Sequence, residues 1–136
     1  MASSKVVHTS GKRKSSIARA TLREGKGQIR INSQILSTYK PAFAKEKIME
    51  PLSIAGDEII KKLKIDVNVK GGGIISQAEA VRLAIARALI AHTQSKKLEK
   101  EFLSYDRHLL VADTRRKEPC KPNDSKARKK RQKSYR

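Results

Sequence analysis

The side chains in this chain that could do chemistry are cations, and the chemistry open to them is phosphate neutralisation. Lys126 to Arg136 read Lys-Ala-Arg-Lys-Lys-Arg-Gln-Lys-Ser-Tyr-Arg. Seven of these eleven residues are Lys or Arg, and none is acidic. A segment so poor in apolar surface cannot offset the entropy of ordering itself, so it orders only against a dense polyanion. Like-charge pairs four apart, Lys126 with Lys130 and Lys129 with Lys133, oppose a helix. An extended arm is expected unless phosphates neutralise it. A solvated tail, a nuclear-import signal and an arm threading into folded RNA would all use such a cluster.

A second set of cations lies near the start. Ser10 to Ser16 reads as a polar loop carrying Lys12, Arg13 and Lys14. Beside it runs a basic strand face with Arg19 and Arg23, and then Lys26. Position 6 is Val where a Walker loop needs its first Gly, and Arg13 follows Lys12 where Ser or Thr is required. A phosphate-contacting patch is the better reading. Gly71-Gly72-Gly73, before a capped helix, has two readings that can coexist. One is a tight turn where backbones approach closely; the other is direct contact with an RNA backbone. His8, His92 and His108 share no metal-like spacing. Cys120 is the single cysteine, which excludes an internal disulfide or a cysteine-rich zinc site. No paired carboxylates or nucleophile–base set stands out, so neither catalysis nor a cofactor is expected.

The elements must hold these cations on a small body. At 136 residues and a formal charge of +19, the chain is one domain with appendages that repels itself until an anion neutralises it. Nucleic acid fits that charge better than a membrane surface. No apolar run approaches the roughly 20 residues needed to span a bilayer, and no signal or lipidation motif follows Met1. A reducing, cytosolic compartment is the default. Aromatics are only 4%, which argues for an aliphatic, Ala-rich core and against a base-stacking sheet.

Val6 and Val7 open a possible first strand. Alternation over Ile17 to Arg23, a turn at Glu24-Gly25-Lys26-Gly27 and a return over Gln28 to Ile31 predict a β-hairpin. Pro41 and Pro51 punctuate the next stretch, where Phe43, Ile48 and Leu52 would cover one face of a short helix. Glu58 to Lys62 reads as a further helical turn. Leu63, Ile65, Val67 and Val69 alternate with Lys64, Asp66 and Asn68, the clearest strand of the chain. Ser76 and Glu79 form a capping box for a helix from Gln77 to about Thr93. Ala78, Val81, Ile85, Ala88, Leu89 and His92 form its stripe, with Arg82 and Arg87 off it. Lys96 to Tyr105 predicts another helix, resting on Leu98, Phe102 and Tyr105. Leu109-Leu110-Val111 is a late strand candidate. From Arg115 onward, eleven Lys/Arg stand against Glu118 and Asp124, and Pro119 and Pro122 keep the start of this arm extended. The pattern predicts an α+β body over 1–114, with helices on one face of a small antiparallel or mixed sheet, and a basic tail over 115–136.

Five motifs in order carry a resemblance that spans nearly the whole chain. They are Gly11-Lys12-Arg13-Lys14-Ser15-Ser16-Ile17-Ala18-Arg19-Ala20, Gly25-Lys26-Gly27-Gln28-Ile29-Arg30-Ile31-Asn32 and Asp66-Val67-Asn68-Val69-Lys70-Gly71-Gly72-Gly73. Next come Gln77-Ala78 through Ala84-Ile85-Ala86-Arg87-Ala88-Leu89, and the terminal Gln132-Lys133-Ser134-Tyr135-Arg136. The chain resembles the universal small-subunit ribosomal protein nine family, of archaeal-like type by its Ser-Tyr-Arg ending and its Val7-His8-Thr9-Ser10 lead-in. It departs from the family's pattern at Ser76, where glycine is frequent. It also departs at Pro122-Asn123-Asp124, which replaces glycines at the hinge of the arm.

The resemblance implies the fold of the second domain of ribosomal protein five of the same subunit, with a left-handed β-α-β unit. It implies a place in the small-subunit head, on the 3′ major domain of the rRNA, beside neighbouring head proteins. It also implies a tail that reaches the peptidyl site and touches the anticodon stem-loop of the bound tRNA through Lys133, Ser134, Tyr135 and Arg136. On this reading the rRNA contacts fall on Lys12, Arg13, Lys14, Arg19, Lys70, Gly71 and Gly72 in the body. In the tail they fall on Arg115, Arg116, Lys117, Lys121, Arg128, Lys129, Lys130 and Arg131. Other classes that a polycation could serve are a DNA-compacting or general RNA-chaperone protein and an RNA-processing enzyme.

Overall fold

Leu63–Lys70 (β5) is the strand on which the sheet is built, and its alternation is as the sequence predicts. Leu63, Ile65, Val67 and Val69 are buried, while Asn68 and Lys70 are exposed. The computed structural model describes residues 6–123, 126–130 and 132–136. On one side β5 pairs antiparallel with β2 (Ser16–Glu24), and on the other it runs parallel to β3 (Gln28–Ile31). With β1 (Val7–Arg13) and β4 (Gln34–Ile35) the sheet is mixed, in the order β1-β2-β5-β3-β4.

Two expectations are corrected here. Residues 10–13 are not loop but the second half of β1, and β1 and β2 form the hairpin, joined at Lys14-Ser15. Gln28–Ile31 does not return on β2, because β5 lies between them. The backbone shows why: Gly25 N–H donates to the Lys62 carbonyl at 2.9 Å and Gly27 N–H to that of Leu63 at 2.9 Å. The glycine turn is thus attached to the start of β5 and carries the chain past it. A strand with four buried apolar residues and a partner on each edge belongs at the centre of the sheet.

The helices are α1 (Ala42–Ala55), α2 (Asp57–Ile60), α3 (Ile74–Thr93) and α4 (Lys96–Tyr105). Pro51 does not end α1; it is buried within it, along the face formed by Ala44, Ile48, Leu52 and Ala55. Phe43 lies off that face and is half exposed. On α3 the expected capping box is absent, because the helix starts earlier, with Gly73 as its N-cap. Ser76 lies within its first turn, and Glu79 reaches across to two cations instead. Helix α3 packs on β1, β2 and β5 with one side and on α1 and α4 with another, so between Ala78 and Leu89 it is buried almost all round. Arg82, outside the apolar stripe, is therefore only 7% exposed. It ion-pairs with Glu50 of α1 and with Asp106 just past α4, at 2.8 Å to the latter.

In α4, Leu98 and Phe102 are buried as expected, but Tyr105 is exposed. The late strand is also corrected. Arg107–Leu109 is a 3-10 turn, capped by the Asp106 carboxylate accepting from His108 N–H, and it buries Leu109. After Leu109 there is no helix or strand among the described residues.

Candidate nucleic-acid interface

The strand register places one set of side chains on the sheet face opposite the helices. Directly paired residues point the same way. Lys12 faces Ile17, Ile17 faces Lys70, Arg19 faces Asn68, Arg23 faces Lys64, and Arg30 stands beside Asp66. Lys12, Arg19, Arg23, Arg30, Lys64 and Lys70 thus share one open face, with Ile17 and Asn68 between them. Asp66 is the acidic residue on the five strands there among those described, and it sits at 3.8 Å from Arg23 and 3.9 Å from Lys64. Sequence reasoning found Lys12, Arg19, Arg23 and Lys70. It did not place Arg30 and Lys64 with them, because their company depends on β5 lying between β2 and β3. Lys26 is in the glycine turn, apart from the strands.

A second cationic surface forms where the arm leaves the body. Lys14 and Ser15 of the β1–β2 turn and Arg115, Arg116 and Lys117 line a cleft of about 690 Å³. The sequence separates these groups by a hundred residues, and the fold brings them together. Two side chains hold the arm's root there. Arg87 of α3 donates to the Leu110 carbonyl at 3.0 Å and to the Ser10 carbonyl at 2.9 Å. Asp113 pairs with Arg13 at 3.0 Å and with Arg115 at 2.6 Å.

Arg13 is partly buried where Lys12 and Lys14 are exposed. Its Nε donates to Glu79 at 2.6 Å, and the same carboxylate takes Lys47 at 3.2 Å. Arg13 therefore lies against carboxylates, while its neighbours face solvent. Hydrogen bonds from the Arg115 side chain and backbone hold the Asp113 carboxyl below the usual carboxylate range. Burial alone would raise Glu79, but the hydrogen bonds from Arg13 and Lys47 outweigh it and lower it. Asp106 is lowered likewise, with burial opposed by His108 N–H and Arg82.

These depressed carboxyls have a consequence for stability. Their contribution is present above the unfolded-state carboxylate values of about 4 and is lost as pH falls through the lower folded values. Urea midpoints are expected to hold between pH 7 and 5 and to fall below about pH 4. Asp113→Asn should make that fall shallower, and identical acid limbs would show that this carboxylate is not engaged.

Gly71 and Gly72 have φ of +79° and +69°, and a Cβ on Gly71 would stand 2.5 Å from the Ser15 carbonyl oxygen. Buried Ser16 donates from Oγ to the Gly71 carbonyl at 2.8 Å. The close-approach reading of this turn is thus met in the contacts; its outer side is exposed, next to Lys70. In the arm, Lys121, Lys129 and Lys130 are exposed, as are Lys133, Ser134, Tyr135 and Arg136. Arg128 is forked onto Glu118, with its Nη2 at 2.6 Å from Oε1. Arg131 lies outside the described residues. Among those described, no group of three or more His, Cys, Asp or Glu could hold a metal ion, and no helix is long and apolar enough to cross a membrane.

Comparison with known proteins places this arrangement. Residues 11–136 match the model of the family described as ribosomal protein S9/S16. The small ribosomal subunit protein uS9 of Methanococcus maripaludis is 52% identical over 134 residues, covering 97% of this chain and 99% of that protein. Its counterpart from Methanococcus vannielii is 53% identical over the same coverage. With the match running from β1 through the last residue of the arm, the chain belongs to the ribosomal protein S9/S16 family.

Proposed function

We propose that the chain is a structural protein of the small ribosomal subunit, working in the cytoplasmic ribosome, whose body binds rRNA in the subunit head and whose arm reaches the peptidyl-site tRNA. The observation that carries this is the gathering of cations on two continuous surfaces, the open sheet face and the arm-root cleft. Family membership supports the ribosomal assignment, and with it a structural rather than catalytic role.

The working chemistry is charge neutralisation with release of counterions. Lys12, Arg19 and Lys70 meet phosphates from the sheet, joined by Arg23, Arg30 and Lys64. Lys14, Arg115, Arg116 and Lys117 grip a strand at the cleft. Gly71 and Gly72 offer exposed backbone beside them, and Arg13 acts from behind by holding the arm's root. Lys121, Arg128, Lys129, Lys130 and Arg131 follow the RNA outward. The target is the 3′ major domain of the rRNA, with other head proteins as neighbours. The β3–α1–β5 crossover is taken as left-handed, as in the second domain of ribosomal protein five.

At about 3.3 Å per extended residue, the arm spans roughly 60 Å from Pro119, a length suited to reaching a distant functional site. Its tip, Lys133 to Arg136, meets the tRNA anticodon stem-loop. Arg136 can hold a phosphate through two parallel N–H bonds. Removing Lys133 to Arg136 should lower tRNA affinity at the peptidyl site about ten-fold or more, on the scale of one or two charge-assisted contacts. Subunit assembly should be nearly intact. Filter binding of tRNA to purified mutant subunits tests this, and an unchanged affinity would remove the tip from the tRNA.

A further inference from the structure

We infer that the apolar cleft where the first turns of α1 and α3 meet takes an unpaired nucleobase of the bound RNA. The inference rests on the RNA-binding reading above and gives that surface a second kind of contact. Phe43, Ile74 and Ile75 are 51%, 53% and 57% exposed, although each is a large apolar side chain. They line one cleft of about 560 Å³ together with Lys14, Arg13 and Glu79.

Charge selects the occupant. Lys14 lines this cleft and the cationic cleft with Arg115, Arg116 and Lys117 as well, so the two adjoin at that side chain. A strand whose phosphates lie among those four cations passes the mouth of the apolar cleft. The spacing between a phosphate and its own base then lets the base turn in against the Phe43 ring. The Glu79 carboxylate on the cleft wall does not repel such a strand strongly, since Arg13 and Lys47 neutralise it. Exposed aromatics beside cations are the usual way proteins hold unpaired bases, whose flat faces stack on the ring. The scarcity of aromatics argues against a stacking sheet. It does not argue against a single stacking ring at the edge of the body.

The test uses the full chain and a head-domain rRNA fragment, titrated at several salt concentrations. Phe43→Ala should weaken binding roughly five- to a hundred-fold, the range for loss of one stacked base, without changing the salt slope. Phe43→Tyr should restore most of the affinity, and Phe43→Leu should not. The triple variant Lys14→Gln, Arg115→Gln, Arg116→Gln should instead flatten the slope. Circular dichroism should show all variants folded, since each position is exposed.

Unchanged affinity for Phe43→Ala together with a flattened slope for the triple variant would overturn the base pocket and leave the RNA reading standing. Loss of a neighbouring head protein from Phe43→Ala subunits, at unchanged RNA affinity, would make the cleft a protein contact and overturn it too. No effect from either variant would overturn both readings.

Discussion

Deleting residues 119–136 is expected to flatten the salt dependence of rRNA binding by several units while leaving the body bound. The deleted stretch carries eight Lys/Arg against one acidic residue, Asp124. Each phosphate contact contributes about 0.7 to 0.9 to the slope of log affinity against log salt, so full engagement of the arm is worth roughly 6 units. Arg128 is paired with Glu118 in the free chain, but both side chains are at least half exposed. A solvent-screened pair of this kind is weak, so a phosphate can displace it. The shortened chain keeps Lys12, Arg19, Arg23, Arg30, Lys64 and Lys70 on the sheet and Lys14 with Arg115 to Lys117 at the cleft. Residual binding should therefore be weaker at low salt but much less sensitive to it. Fluorescence titrations between about 50 and 200 mM salt cover the range in which six to ten contacts change affinity by roughly 10³ to 10⁵. An unchanged slope would mean that the arm makes no ionic contact. Equal affinity for duplex DNA and for rRNA in the intact chain would favour a general polycation over a ribosomal component.

Which parts of this were legible before the fold was known follows from the range of the forces involved. Strand β5 and helix α4 are set by their own periodicity, and their bounds were close to readable from single residues such as Leu63 and Leu98. The order of the strands was not. The Gly25–Gly27 turn has the composition of a hairpin loop, and only its bonds to Lys62 and Leu63, some 36 residues on, direct it elsewhere. The same non-local pairing decides which cations share a face, so Arg30 and Lys64 were invisible as a group. The Ser76–Glu79 capping box failed for a related reason. Glu79 found Arg13 and Lys47, which are distant in sequence and near in space, and two ion pairs outweigh one local cap. Arg82 and Arg87 were read as lying off the core because a stripe argument assumes one buried face. With α1 and α4 covering α3 from behind, both became tie points, one for Glu50 and Asp106 and the other for the arm's root. Composition alone made the arm conspicuous, since a run of cations needs no partner in the chain to be noticed.

Gly11→Ala is expected to destabilise the body far more than its place in a basic, loop-like motif suggests. Gly11 is buried on β1, and a Cβ there would collide with the Ala80 carbonyl oxygen and lie 2.8 Å from Ala84 N. Both are backbone atoms in the middle of α3, held by the helix's own hydrogen bonds, so neither can yield alone. The contacts on either side depend on the same approach. Thr9 Oγ1 donates to the Ala84 carbonyl at 2.8 Å, and Arg87 donates to the Ser10 carbonyl at 2.9 Å. Pushing β1 away from α3 would stretch both of these and open the layer formed by Ala80, Ala84 and Ala88. Overpacking of this kind costs about 3 kcal/mol or more when backbone must move. For a body of this size that lowers the melting temperature by roughly 12 to 20 °C. Gly73→Ala is the control: nothing lies within 4 Å of its added Cβ and its φ is an ordinary −101°, so only the weaker N-capping by Ala should show, as a loss of roughly a few degrees at most and far less than for Gly11→Ala. Calorimetry of the two variants decides between two roles for Gly11. A stable Gly11→Ala protein with weakened RNA binding would make the residue an RNA contact. A destabilised one makes it the point where strand and helix backbones interlock, behind the turn that presents Lys14.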